Sequence, residues 1–308
     1  MAKILFMGTP QFACPGLEAL LEAGHEVPLV LCQPDRKKGR GHKLQAPPVK
    51  ELALSRQLEV YQPESLKSPE VLERLAAHKA DFFVVVAYGK ILPKALLDLP
   101  QKACINLHAS LLPQLRGAAP IQFSLWLGHQ ETGVCTMKMD VGMDTGDLLQ
   151  TWTTPIDPFE DAGKLGQRLS TLGAALLTQT LEDFDQLTPQ AQDHSAATYT
   201  RMITKEDRVL DWALPAPELH NRFRALSPEP GVLTKALGKS LRLLGLQPAE
   251  GQGQPGEVLS ITPQGILVAA GTGALLLTQV MPESKGAMTA YGFAQGHQLQ
   301  VGSQLGQT

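Results

Sequence analysis

The chain has 308 residues, 43% of them hydrophobic and 19% charged, which is enough to bury one large core or two ordinary ones. Its formal charge of -3 excludes a protein held to nucleic acid or anionic lipid by overall charge, so such a partner needs a local basic patch. Cys14, Cys32, Cys104 and Cys135 stand far apart in apolar surroundings without ligand spacing, which argues for reduced thiols, no metal and no disulfide framework.

Lys3 to Gly8 is a short apolar run closing on glycine, the pattern of a buried strand. Thr9 then stands where an N-cap would, with Pro10 opening a helix through about Glu22. Glu26 to Leu31 supplies a second strand, followed by a long polar loop. Pro48 opens a helix to about Arg56, and 68–78 is amphipathic with Val71, Leu72 and Leu75 on one side. Residues 81–87 are apolar on both faces, as a central parallel strand covered by helices must be. Further strands are expected at 104–108 and 134–139, and a long amphipathic helix at 162–187.

This alternation argues for an α/β domain, Rossmann-like with a mostly parallel sheet, over residues 1–189. Residues 190–206 turn polar and read as a linker. Beyond it, over 207–308, come a helix near 217–225 and short strand-like runs at 241–246, 256–261, 265–270 and 274–280. Separated by Gly, Pro and Gln, they suggest a smaller OB-like β-barrel domain. No stretch approaches the roughly 18 apolar residues of a membrane span. A monomer in the cytoplasm, with no membrane partner, is therefore the expectation.

Ligands of such sheets sit beyond the carboxyl ends of the strands. Asn106 and His108 lie two apart on a strand end and so share a face. On this topology the end of the next strand brings the loop carrying Asp144 to the same rim. An amide NH₂ can donate to a carbonyl oxygen that gains charge when a nucleophile adds. An imidazole can take the proton of an attacking amine, and a carboxylate beside it orients the ring and favours its charged form. Each residue also has a plainer reading: a structural histidine, an asparagine closing a turn, an aspartate capping one. No Gly-x-Ser-x-Gly elbow or Cys–His pairing demands a nucleophilic side chain.

Four collinear motifs resemble the folate-dependent formyltransferases. They are Val85-Val86-Ala87-Tyr88-Gly89-Lys90-Ile91-Leu92-Pro93, Asn106-Leu107-His108-Ala109-Ser110-Leu111-Leu112-Pro113, Arg116-Gly117-Ala118-Ala119-Pro120-Ile121 and Asp140-Val141-Gly142-Met143-Asp144-Thr145-Gly146. The resemblance implies that Asn106, His108 and Asp144 are catalytic and that 10-formyltetrahydrofolate is the formyl donor. It implies further that Ser110, Leu111, Leu112 and Pro113 line the tetrahydrofolate site. Val86, Ala87, Tyr88, Gly89, Ile91 and Leu92 would wall its pterin pocket. Arg116, next to this motif, could face the acceptor or serve a structural ion pair.

The opening Met7-Gly8-Thr9-Pro10-Gln11-Phe12-Ala13 and the stretch Gln33 to Leu44 look like the family members that act on methionyl initiator tRNA. So do Leu210-Asp211-Trp212 and Pro282 to Met288, so that the resemblance covers nearly the whole chain. Arg36, Lys37, Lys38, Arg40, His42 and Lys43, interleaved with Gly39 and Gly41, form the sharpest basic cluster. That loop suits an RNA backbone, with Arg40 favoured for direct contact, and the second domain is expected to bind the tRNA as well. Glu229, Gln11 and Gln114 depart from the residues usual in the family.

A sugar-nucleotide N-formyltransferase using the same donor is the nearer rival, against which the basic loop stands. A glycinamide-ribonucleotide formyltransferase needs a phosphate-holding first loop, which Gly8 to Phe12 is not. A dehydrogenase would need the GxGxxG fingerprint after the first strand, which is missing. A non-catalytic RNA-binding module leaves Asn106, His108 and Asp144 unexplained.

Overall fold

The apolar runs of the first half become strands of one sheet. In the computed structural model, which describes residues 1–38 and 43–306, the chain begins β1 (Lys3–Gly8), α1 (Cys14–Glu22), β2 (Glu26–Leu31), β3 (Arg36–Lys38), β4 (Lys43–Gln45) and α2 (Pro48–Ser55). It continues with β5 (Val60–Tyr61), α3 (Pro69–Ala77), β6 (Phe82–Val86), α4 (Lys94–Leu97), β7 (Ala103–His108), β8 (Arg116–Gly117) and α5 (Pro120–Trp126). Then follow β9 (Glu131–Lys138), β10 (Leu148–Pro155), α6 (Ala162–Asp183), β11 (Tyr199–Thr200) and α7 (Ala216–Leu226). The chain ends with β12 (Val232–Ala236), β13 (Lys239–Ala249), β14 (Val258–Thr262), β15 (Gly265–Ala269), β16 (Ala274–Pro282), β17 (Met288–Thr289) and α8 (Ala290–His297).

Two compact units result: unit 1 is Met1–Pro120, Glu131–Pro155 and Gly166–Thr200, and unit 2 is Ile121–Gln130, Ile156–Leu165 and Arg201–Thr308. Unit 1 holds a seven-stranded sheet in the order β10-β9-β7-β6-β1-β2-β5. The pairs from β7 through β6, β1 and β2 to β5 are parallel, while β9 and β10 are antiparallel to their neighbours. The α/β class expected from the sequence is thus present, with a mostly parallel sheet.

The two faces of this sheet are filled by alternate residues. On one face Gly16 of α1 lies against Phe6, Val86 and Leu177 of α6, and Gly173 of α6 comes so close to Leu107 that a Cβ there would sit 2.8 Å from it. On the other face Leu5, Met7, Leu31, Phe83, Val85 and Cys104 pack with Val71 and Leu75 of α3. Asn106 and His108 share the face of Cys104 and lie beyond it along β7.

Thr9 is not a helix N-cap: a 3-10 turn over Gln11–Ala13 precedes α1, Pro15 occupies its first turn, and the Thr9 hydroxyl donates to the Tyr88 carbonyl at 2.9 Å. The polar loop after β2 contains the β3–β4 hairpin, with Arg36, Lys37 and Lys38 opposite Gln45, Leu44 and Lys43. β9 runs antiparallel to β7, so its carboxyl end, Lys138, lies beside Ile105 rather than beside His108. The first part of the stretch read as a linker is bonded into unit 1: Gln190 bridges Leu148, and β11 pairs with β8.

Unit 2 is built on an antiparallel sheet in the order β12-β13-β16-β15-β14, with β17 pairing to β16. β13 has register shifts on both sides of Gly245, which bend and twist it. Trp212 is buried and its indole N–H donates to the Thr234 hydroxyl at 2.9 Å. Among the described residues no helix is long and apolar enough to cross a membrane.

Candidate active site

Asn106 and His108 project together from the end of β7 because α6 covers the opposite face, where Leu107 points. Asn106 is 8% exposed, and its side-chain amide has no hydrogen-bond partner among the described residues. A nearly buried amide with spare donors is costly unless something else takes them up.

His108 is 7% exposed, with Nε2 3.1 Å from the Leu115 carbonyl. A carbonyl can only accept, so the neutral ring carries its proton on Nε2 and leaves the Nδ1 lone pair free. Nδ1 faces Asp144 Oδ2 at 3.8 Å, which is ion-pair range for an imidazolium but too long for a hydrogen bond. The ring is therefore oriented by Leu115, not by Asp144 as expected. The Leu115 amide in turn donates to the Thr198 hydroxyl at 2.8 Å.

Asp144 arrives by an unexpected route. The loop after β9 returns across the sheet, Lys138 N–H donating to Asp147 O at 2.9 Å, and Asp144 Oδ2 accepts from Gly117 N–H at 2.7 Å. Asp144 and Leu115 both hold left-handed backbone, at φ 53° and 59°. Such strain costs on the order of 1–3 kcal/mol per residue and persists only where the surroundings impose it. Gly117 has φ 99°, and a Cβ there would meet Thr200 O at 2.7 Å, so no other residue presents this N–H.

The remaining expected residues divide by what they can offer. Ser110 is buried, and its hydroxyl donates to Gln114 O at 2.7 Å, closing the 110–114 turn. Leu112 packs against Cys135 and Met137, while Leu111 and Pro113 are half-buried. Val86, Tyr88 and Leu92 bury their side chains, and burial pushes the Tyr88 phenol up. Ala87, Gly89 and Ile91 are exposed, Ala87 and Gly89 with φ 47° and 82°, so this segment presents backbone together with the Ile91 side chain. Tyr88 O also accepts from Gln33 Nε2 at 3.2 Å, lacing the carboxyl ends of β1, β2 and β6 together.

Arg116 turns inward and forms no ion pair among the described residues. It is 1% exposed, and its guanidinium donates to Gln192 Oε1 at 3.1 and 2.7 Å and meets His194 Nδ1 at 3.0 Å. Cys135 stands opposite His108 in the sheet, yet burial pushes its thiol up to about 12, so it is no nucleophile near neutral pH.

The β3–β4 hairpin carries Arg36, Lys37, Lys38 and Lys43, whereas Arg40 and His42 lie outside the described residues. Its base is fixed by Asp35, which accepts from Lys50 Nζ at 2.9 and 2.8 Å and from Gln62 at 2.8 Å. The Lys50 ammonium, then Gln62, hold that carboxyl below the usual carboxylate range. Sequence reasoning missed Leu115, Gln192 and Thr198, which act through a backbone carbonyl, a neutral amide and a hydroxyl and so carry no charge signature, and it gave Gly117 no role of its own within the 116–121 motif.

The family model described as formyl transferase matches residues 2–181, and that described as formyl transferase, C-terminal domain, matches 202–298. A methionyl-tRNA formyltransferase of Trichlorobacter lovleyi is 47% identical over 98% of this chain and 96% of its own length. One of Hydrogenovibrio crunogenus is 47% identical over 99% and 98%. Among solved structures, HypX from Aquifex aeolicus in complex with tetrahydrofolic acid matches at 18% identity and a TM-score of 0.63, over 97% of this chain but 48% of that one. This chain thus spans about half of HypX. An N-formyltransferase from Helicobacter canadensis with folinic acid and dTDP-3-aminofucose matches at 15% identity and a TM-score of 0.65, over 90% and 99%. At those identities the two structures speak for the fold alone, whereas relatives at 47% identity along the full length speak for more: the chain belongs to the methionyl-tRNA formyltransferase family.

Proposed function

We propose that this protein transfers the formyl group of 10-formyltetrahydrofolate to the amino group of methionyl initiator tRNA, giving N-formylmethionyl-tRNA for translation initiation. The observation that carries the reading is the free amide of Asn106 beside the free Nδ1 of His108, on one strand face in a family of formyl-transferring enzymes. The exposed backbone of Ala87 and Gly89 and the 110–113 turn suit a flat donor ring with amide-like edges.

An α-amino group has a reference pKa of about 7.7–8.0 and is partly neutral near pH 7. As it adds to the formyl carbon, the Asn106 NH₂ donates to the carbonyl oxygen, which takes up charge. His108 Nδ1 accepts the proton that the attacking nitrogen sheds, and Nε2–H stays on Leu115 O. The resulting imidazolium faces Asp144 at a distance that stabilises it. His108 then returns the proton to the departing nitrogen of the donor as the C–N bond breaks. One amide bond forms, one breaks, and no side chain is acylated. The second unit and the basic hairpin bind the RNA in this reading, which places the protein in the cytoplasm.

Sugar N-formyltransferases share the fold at 15% identity, and the family relatives at 47% favour the RNA acceptor. Incubation with 10-formyltetrahydrofolate and methionyl initiator tRNA, with a UDP-amino-sugar in parallel, tests this. Formylated methionyl-tRNA is expected; formylation of the sugar alone sinks the reading. His108→Ala should abolish transfer while tRNA binding survives, and near-normal turnover in that variant would remove His108 from its role.

A further inference from the structure

We infer that Gln192 is a positioning residue of the transfer reaction, tying the Asp144 loop to Arg116. Gln192 is 6% exposed and lies in the polar stretch that follows α6. Its Oε1 accepts from Arg116 Nε and Nη2 at 3.1 and 2.7 Å. Its Nε2 donates to the carbonyls of Asp144 at 3.0 Å and Gly146 at 2.7 Å. All four hydrogen-bonding positions of the amide are used, which fixes its orientation without ambiguity.

The connections close into a ring. The Asp144 carboxylate is tied to Gly117 N–H, Gly117 follows Arg116 in the chain, the Arg116 guanidinium holds Gln192, and Gln192 holds the Asp144 carbonyl. Asp144 has left-handed backbone at φ 53°, and Gly146 is pressed against Lys138 O. Such a segment relaxes when its restraints are removed. Gln192 touches neither His108 nor the free amide of Asn106; it acts through Asp144. A guanidinium buried without a carboxylate is costly to maintain, and here a neutral amide takes two of its donors and passes the constraint to the loop.

The inference rests on the transfer reading above. Gln192→Glu separates the two halves of the amide's work: a carboxylate still accepts from Arg116 but has nothing to donate to the two loop carbonyls. Gln192→Met keeps the volume and loses all four bonds. Both variants should retain the wild-type fold by circular dichroism. Their kcat should fall by about tenfold to a hundredfold, with KM for both substrates within about twofold.

Because Gln192 acts through Asp144, adding Gln192→Glu to Asp144→Asn should lower kcat by no more than about twofold further, whereas two independent roles would multiply. Amide hydrogen exchange over the Asp144 loop should be faster in Gln192→Glu than in the wild type. Wild-type kcat, or a lowered kcat that multiplies fully with the Asp144→Asn loss, overturns the inference. A wild-type protein that formylates nothing overturns the transfer reading instead, and the hydrogen-exchange comparison still decides whether Gln192 holds the Asp144 loop.

Discussion

Both units bury polar side chains, and the two sets differ in what is left over. In unit 2, Asp207 accepts from Arg201 Nη1 at 2.5 Å, Arg201 Nη2 at 2.8 Å and Thr204 N–H at 2.8 Å. Arg224 spends both terminal nitrogens, on Asp157 O, Glu160 O and Asn221 Oδ1, while its buried Nε has no partner among the described residues. His220 is buried beside it, and burial followed by the Arg224 charge pushes its imidazole down to about 4. In unit 1, by contrast, Asn106 donates to nothing among the described residues and His108 keeps one lone pair. Unspent capacity is thus present in both units, as Arg224 Nε in unit 2 and as the Asn106 amide and His108 Nδ1 in unit 1, and only the latter pair sets a donor beside a proton acceptor on one strand end.

The largest expected effect tests unit 2 as scaffold. Trp212→Ala removes a buried indole and orphans the Thr234 hydroxyl, and should cost about 3–5 kcal/mol in urea unfolding. A loss below about 1 kcal/mol would mean that the indole supports nothing.

Next comes a pH contrast. His220 is neutral in the fold, so below about pH 6.5 the unfolded chain binds a proton that the folded chain refuses until about 4. Stability should fall through that window by about 3 kcal/mol at most, and His220→Gln should flatten the fall. Unit 1 answers at the other end. Burial pushes Cys104 and Cys135 up to about 12, so above about pH 9 the unfolded chain loses protons that the fold retains, and stability should fall as pH rises. Urea midpoints measured from pH 4 to 11 check both limbs, and a flat acid limb would break the contrast. The smallest effect is expected at the exposed Lys94–Asp98 pair, at 2.8 Å on α4. Lys94→Ala should change stability by less than about 0.5 kcal/mol, and a larger loss would show surface charge doing what the buried groups are credited with.

Much of this arrangement was legible before any coordinates. Lys3 to Gly8 and Phe82 to Val86 announced buried strands because helices cover both faces and the runs are apolar without alternation. Asn106 and His108 share a face by period alone. Strand direction is another matter: Glu131 to Lys138 would have the same pattern running either way, and the antiparallel β9 upset the expected delivery of Asp144. β12 went unseen because Thr234 and Ala236 occupy two of its buried positions, which weakens its apolar alternation. The stretch after α6 misled for a physical reason. Hydrophobic periodicity registers area taken from water, whereas Gln190, Gln192 and Thr198 are held by hydrogen bonds, and such a segment looks like a linker.

The reach of the Gln192 bonds has a consequence for the order of events in synthesis. Arg116 and Gln192 are 76 positions apart, and Leu115 and Thr198 are 83 apart. A chain emerging from its own ribosome displays Asn106, His108 and Asp144 well before the residues that lock them arrive. The apolar core around β1, β6 and β7 needs none of those later residues. A nascent chain can therefore own a folded sheet and the whole reactive triplet while still lacking a working site, until the residues near 200 have emerged.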